Sequence, residues 1–225
     1  MKRVLSALAA LALLFACTPE NNPPVVESKM KAVDLGLSVK WAACNLGAEK
    51  PEEYGDYYAW GETETKANYD WSTYKYANGD YNKLTKYCPS DRTSYWDDTG
   101  DPDNKTVLDP EDDVVHVKLG GNWRMPTIEE WTELLEKCTW TWTTQNGVTG
   151  RLVTASNGNS IFLPAAGIRE RTDFYAFGSY GLYWSSSLNT EDRPDCARYV
   201  DFGSGFVVSY GSGRCYGKSV RPVSE

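Results

Sequence analysis

The sequence predicts an α+β domain: an antiparallel sheet with one main helix and long connecting loops. Three observations in its 225 residues carry that expectation. Short runs of alternating apolar and polar residues recur, most of them closed by glycine, the pattern of half-buried strands ended by turns. One stretch only, Ile128 to Cys138, spaces its apolar residues at the helical period. The composition, with 19 Gly, 15 Tyr and 9 Trp, suits a loop-rich sheet protein better than a helical one.

The chain opens on a targeting segment. Lys2 and Arg3 form a charged start, and Leu5 to Ala16 is an apolar run too short to span a bilayer. Cys17 follows directly, and Leu14-Phe15-Ala16-Cys17 reads as a bacterial lipobox. The expected organisation is a signal peptide over 1–16, a lipid on Cys17, a tether over 17–30 and a folded domain over 31–225. An ordinary secretory signal with an incidental Cys17 is the alternative. Thr18 to Lys29 (TPENNPPVVESK) has too little apolar surface to bury, as a tether requires. Formal charge is −8, and loss of Lys2 and Arg3 leaves 21 basic against 31 acidic residues, net −10. That balance argues against a nucleic-acid partner, which needs clustered Lys and Arg.

Within the domain, Val33, Leu35, Leu37, Val39 and Trp41 alternate and predict a first strand. Asn45 to Glu53 reads as a turn, and Tyr57 to Glu62 as a second short strand ending at Gly61. Glu62 and Glu64 are expected on a solvated surface rather than as a catalytic pair. Asn68 to Tyr87 lacks a period and reads as a long packed loop. Its rings (Trp71, Tyr74, Tyr76, Tyr81) could stack on sugars, but the commoner role of such rings is to pin the loop.

Asp97 to Asp113 holds eight acids and one Lys. A structural calcium is one expectation for so many oxygens, although the EF-hand spacing is absent; a solvated acidic loop is the other. Asp109 with Pro110 behind it predicts an N-cap and a short helix to about His116. His116 is the only histidine, so neither a catalytic triad nor a multi-His metal site has raw material.

Thr127 with Glu130 makes a capping box before the main helix, whose apolar face is Ile128, Trp131, Leu134, Leu135 and Cys138. Trp140 and Trp142 alternate with Thr on a following strand, as a core stripe or a sugar platform. Leu152 to Thr154 and Ser160 to Pro164 flank Asn157-Gly158, a hairpin signal.

The C-terminal stretch, Gly181 to Val223, interleaves two kinds of position. Val200, Phe202 and Val207 read as inward; Tyr199, Asp201, Phe206, Val208 and Tyr210 read as outward. From Asp192 to Gly217 there is no Lys, Glu, Gln, Met or Trp, whereas Asn122 to Arg151 contains all five. Randomising the adenines of AAY codons cannot encode those five; chance in a short tract gives the same result. Besides Cys17 there are five cysteines, an odd number, with no CxxC spacing to suggest zinc. Cys196 with Cys215, or Cys44 with Cys215, is a possible disulfide in an exported protein.

Several landmarks together resemble the Fibrobacter succinogenes major paralogous domain family. They are Val33-Asp-Leu-Gly-Leu, Trp41-Ala-Ala-Cys-Asn-Leu-Gly-Ala, Tyr54-Gly-Asp-Tyr-Tyr-Ala-Trp-Gly-Glu and Asn122-Trp-Arg-Met-Pro-Thr. Gly181-Leu-Tyr-Trp-Ser-Ser-Ser, Ala197 to Phe202 and Gly217-Lys-Ser-Val-Arg-Pro-Val complete the resemblance, which covers Val33 to Val223. It implies a C-type-lectin-like fold shared with formylglycine-generating enzymes, in a secreted or lipid-anchored envelope protein, here expected on the outer membrane. Some relatives resemble the variable proteins of diversity-generating retroelements, which alter surface residues of the last region.

The function so implied is binding of a protein or glycan, with no catalytic residue and no metal. The expected ligand residues are Asn189, Asp192, Arg193, Asp195, Tyr199, Asp201, Phe206, Val208, Tyr210, Ser212 and Tyr216, held by a frame of Trp184, Phe202, Val207, Val220 and Val223. Tyr gives rigid contact area while Ser and Gly adapt around it. The alternatives are a formylglycine-generating-type oxidase that binds copper through Cys196 and Cys215, and a structural or adhesin subunit of the envelope.

Overall fold

Gly36 decides how the domain begins. Its backbone is left-handed, at φ 69°, and its N–H donates to Asp34 Oδ1 at 2.8 Å, so the chain reverses there. Two short antiparallel strands, β1 (Ala32–Val33) and β2 (Lys40–Ala42), therefore replace the single expected strand. The apolar alternation still holds, because Leu35, Val39 and Trp41 are all buried.

The computed structural model describes residues 30–97, 101–191 and 193–225; the signal segment, Cys17, nearly all of the tether and Asp192 lie outside the described residues. The described part is mainly sheet, with two α-helices among the described residues. No helix among them is long and apolar enough to cross a membrane.

The first sheet has the order β1-β2-β12-β3, where β3 is Trp123–Arg124 and β12 is Val223–Ser224. Val223 pairs with Trp41 on one side and Arg124 on the other. Arg221, fully buried beside this joint, donates to Asn45 Oδ1 (2.9 Å), the Ala42 carbonyl (3.0 Å) and the Phe162 carbonyl (2.8 Å). Three acceptors satisfy a guanidinium that burial would otherwise make costly.

The short helix α1 is Val114–Leu119, later than expected. Asp113, not Asp109, is its N-cap: the carboxylate accepts from Val115 and His116 N–H, and its other oxygen accepts from Met125 N–H at 2.8 Å. That third bond reaches a distant segment, which no local cap rule contains. His116 is exposed on this helix.

The main helix α2, Ile128–Lys137, keeps the predicted capping box, and Arg124 forks onto Glu130 at 2.6 and 2.8 Å. Its Trp131 packs on Trp41 with ring centroids 4.6 Å apart and donates to the Trp184 carbonyl.

A meander follows, of β4 (Thr139–Gln145), β5 (Val148–Thr154) and β6 (Ser160–Pro164). Asn146 and Gly147 both have positive φ (48° and 85°), as a type I′ turn needs, and Asn157-Gly158 closes the second hairpin as expected. A ribbon of β7 (Ile168–Glu170) and β8 (Asp173–Tyr175) leads to β9 (Gly181–Leu188), β10 (Cys196–Phe202) and β11 (Val207–Gly213), a three-stranded sheet with β10 at its centre.

The region between β2 and α1 has almost no regular structure, and it packs as a loop. Tyr57 to Glu62 contributes a single bridge, Tyr58 to Lys218, rather than a strand. Tyr69, Tyr74, Tyr76 and Tyr87 are buried, and Tyr69 and Tyr74 donate to the carbonyls of Tyr57 (2.5 Å) and Trp60 (2.8 Å). Pinning is thus the role of these rings; of Trp71, Tyr74, Tyr76 and Tyr81, only Tyr81 stays exposed. Glu62, expected in solvent, is buried: it accepts from Lys66 Nζ at 2.9 Å and from Lys75 N–H at 2.8 Å.

Candidate functional site

The register of β10 on β11 sorts the C-terminal residues onto faces. Ala197 lies opposite Ser212, Tyr199 opposite Tyr210, and Asp201 opposite Val208. Tyr199, Asp201, Val208, Tyr210 and Ser212 therefore share one face. Val200 and Phe202 take the other and bury in a core with Trp131, Tyr183 and Leu163, with Val207 packed against it. The two parities read from the sequence are both present.

The return of the chain after β11 makes this face more than a strand surface. Lys218, fully buried, brings its ammonium onto this face, 4.0 Å from the Trp184 ring centroid, 4.7 Å from Tyr199 and 5.5 Å from Tyr216. It donates a hydrogen bond to Ser212 Oγ at 2.7 Å. Burial drives its pKa down to about 7, against the neighbouring Cys215, Cys196, Asp201 and Glu170, which favour the charged form. The three ring faces also favour the ammonium.

Asp201 is likewise pushed up, by burial first, with Lys218 and a hydrogen bond to Tyr199 opposing it; its Oδ1 has no partner among the described residues. Burial raises the Tyr199 phenol as well. The result is a floor of Trp184, Tyr199 and Lys218 beneath a rim of Val208, Tyr210, Ser212 and Tyr216. Of these Tyr210 is 53% exposed and Tyr199 only 9%. The amine is closed off from solvent among these rings, so the accessible part of the site is its rim, with Tyr210 the most exposed.

The remaining expected ligand residues lie elsewhere. Asn189 and Asp195 were expected outward with Tyr199, and all three are buried. Asn189 packs its amide against Gly211, and Asp195 accepts a fork from Arg193 at 2.7 and 3.0 Å. Arg193 itself is exposed and lies over the Tyr81 ring. Phe206 stands at the hairpin end against Tyr180, ring centroids 5.8 Å apart.

The disulfide expectation is corrected, since all five described cysteines are free. Cys196 faces Gly213 across the ladder, while Cys215 turns into the core with Trp60 and Tyr74. Burial pushes these thiols up to about 11 and about 12, away from the thiolate that a copper-binding pair needs.

Among the described residues, the acidic cluster of this loop does not suit calcium. Asp109, Glu111 and Asp112 do converge, but on Lys86, whose ammonium is 2.6 Å from both Asp109 and Asp112, and Lys105 adds a second contact to Asp109. Tyr76 and Tyr87 also donate to Asp112. These oxygens are committed to protein donors.

Sequence reasoning missed Lys218 and the floor role of Trp184. One signal was present: Lys218 is the only lysine after Lys137, set in a run otherwise reading as strand. No family model, no curated protein and no solved structure matches this chain.

Proposed function

We propose that this is a lipid-anchored protein of the bacterial cell envelope, on the outer membrane, whose C-type-lectin-like domain binds a protein or glycan through the β10–β11 face. Diversification of that face by a retroelement accounts for the missing residue types between Asp192 and Gly217. The observation that carries the reading is the common face of Tyr199, Asp201, Val208, Tyr210 and Ser212, five positions scattered in sequence that the ladder gathers. The mainly-sheet architecture and the pairing of β2 with β12 agree with the fold half of the proposal.

Tyrosines on a rigid sheet lose little side-chain entropy on binding, which favours them on a recognition surface. The frame beneath is firm: Trp184, Phe202, Val220 and Val223 are all fully buried. Ligand affinity should therefore follow the rim and fold stability the frame.

The test is a binding screen of the full chain on glycan and surface-protein arrays, beside a variant with Tyr210 and Tyr216 changed to Ser. A ligand bound by the parent and lost by the folded variant supports the proposal. A ligand bound equally by both removes the face from recognition.

A further inference from the structure

A second concavity lies at the hairpin end, between the β4–β5 hairpin, the segment after β8 and the β10–β11 turn. It measures about 510 Å3 and is lined by Trp142, Thr149, Ser179, Tyr180, Ser204 and Phe206, together with glycines. That volume falls within the ~300–1,000 Å3 typical of small-molecule sites.

Its floor is fixed by one buried residue. Arg151 donates to the carbonyls of Gly203 (2.6 and 3.1 Å), Ser204 (3.2 Å), Phe206 (3.2 Å) and Trp140 (3.0 Å), while its guanidinium stacks over Trp142 at 5.6 Å. The turn is thereby tied to β4, and the cationic group is consumed by backbone acceptors. The Tyr180 and Phe206 rings lean over Gly203, where a Cβ would come within 3.0 Å of both. Tyr180 and Phe206 are 42% and 38% exposed, large for aromatic rings held in place.

The chemistry of the lining selects an occupant. Three aromatic rings offer apolar faces. The Trp142 indole N–H, the Tyr180 phenol and the hydroxyls of Thr149, Ser179 and Ser204 have no hydrogen bond to another described residue. None of the lining side chains is an acid or a base, in a chain of net charge −8. An anionic ligand finds no cation here and a cationic one no carboxylate. A molecule with apolar C–H faces, many hydroxyls and no charge matches all three properties.

We propose that this groove is a binding site for a neutral saccharide, stacked on Trp142, Tyr180 and Phe206. It shares Phe206 with the strand-face reading and is otherwise independent of it. The test is titration of the full chain with uncharged oligosaccharides (glucans, mannans and galactans), beside sulfated oligosaccharides and apolar peptides. Trp142→Ala and Tyr180→Ser should each weaken binding of the responding neutral sugar at least ten-fold. Trp142→Phe, which keeps a ring, should retain most of it, and Tyr210→Ser should leave it unchanged. Thermal melts identify any variant that fails to fold; Tyr180 is exposed enough for its variant to keep the parent melt. Binding of sulfated sugars or apolar peptides alone, no binding of any neutral sugar, or a neutral sugar insensitive to Tyr180→Ser each overturns the proposal. Loss on Tyr210→Ser with Trp142→Ala silent would return the sugar to the strand face, leaving that reading standing and this one refuted.

Discussion

Replacing Lys218 with Met should stabilise the protein near neutral pH, and the gain should fade as pH rises. The substitution keeps an unbranched chain in a site fully closed to solvent and removes only the amine. Lysine binds a proton with pKa 10.5 when unfolded and about 7 when folded, because burial disfavours the ammonium. Between those values the unfolded chain holds more protons, so native stability rises with pH in the parent and not in the variant. At pH 7 the linkage makes the variant the more stable by up to about 4 kcal/mol. Lost contacts with the three rings, worth about 0.5–2 kcal/mol, reduce this to roughly 2–4 kcal/mol. The gap should narrow by about 2 kcal/mol between pH 7 and pH 9. Urea unfolding followed by tryptophan fluorescence, on both proteins at pH 7, 8 and 9, gives the difference directly. Buried Tyr and Cys contributions cancel in it. A gap independent of pH would mean that Lys218 titrates like a solvated lysine, and the account of the floor would be wrong.

Other outcomes follow from the same contacts. Phe202→Ala should cost about 3–5 kcal/mol, as for a large core ring, while Tyr210→Ala should change stability by less than about 0.5 kcal/mol; comparable losses would refute the division into frame and rim. Lys86→Met should destabilise by about 1–3 kcal/mol, because the buried Asp112 carboxylate loses its nearest ammonium and keeps only Tyr76, Tyr87 and the more distant Lys75. Burial raises that carboxyl, but hydrogen bonds from Lys86, Tyr76 and Tyr87 outweigh it and hold it at about 2. Added calcium should recover part of the loss in the variant and do nothing for the parent. Thr127→Ala should cost about 1 kcal/mol through the capping box, measured by the same unfolding curves. A thiol reagent should label Cys138 and Cys196 slowly, leave Cys44, Cys88 and Cys215 untouched until denaturant is added, and find no disulfide between Cys196 and Cys215.

What was legible in the sequence was local. Thr127 and Glu130 sit three apart, Asn157-Gly158 marks a chain reversal with Gly158 at positive φ, and Val200 with Phe202 keeps the strand period, so each predicted its own local structure. The failures came where a distant segment decides. Tyr199 obeys its parity, yet the crossing of Lys218 and Tyr216 covers the face it points to. Asp109 and Asp113 are both competent caps, and Pro110 favours the first; Met125 N–H, far along the chain, selects the second. Glu62 looked solvated because its partner Lys75 is thirteen residues on, in a loop without period. Gly36 was the exception, a local breaker inside an alternation persuasive enough to hide it.

The place of β12 bears on how this protein tolerates change. Val223 is zipped between Trp41 and Arg124, and Arg221 fastens the joint, so the segment that closes the domain is synthesised after the whole β10–β11 hairpin. Closure across such separations is slow and gains nothing until both ends are present. A frameshift or stop codon within the hairpin thus destroys the closing segment along with the altered one. Such a chain leaves two strand edges and an apolar joint bare, as a degradation substrate does. Amino-acid changes on the rim leave the closure intact. The fold therefore sorts alterations of the β10–β11 face, passing those that preserve the reading frame and discarding the rest.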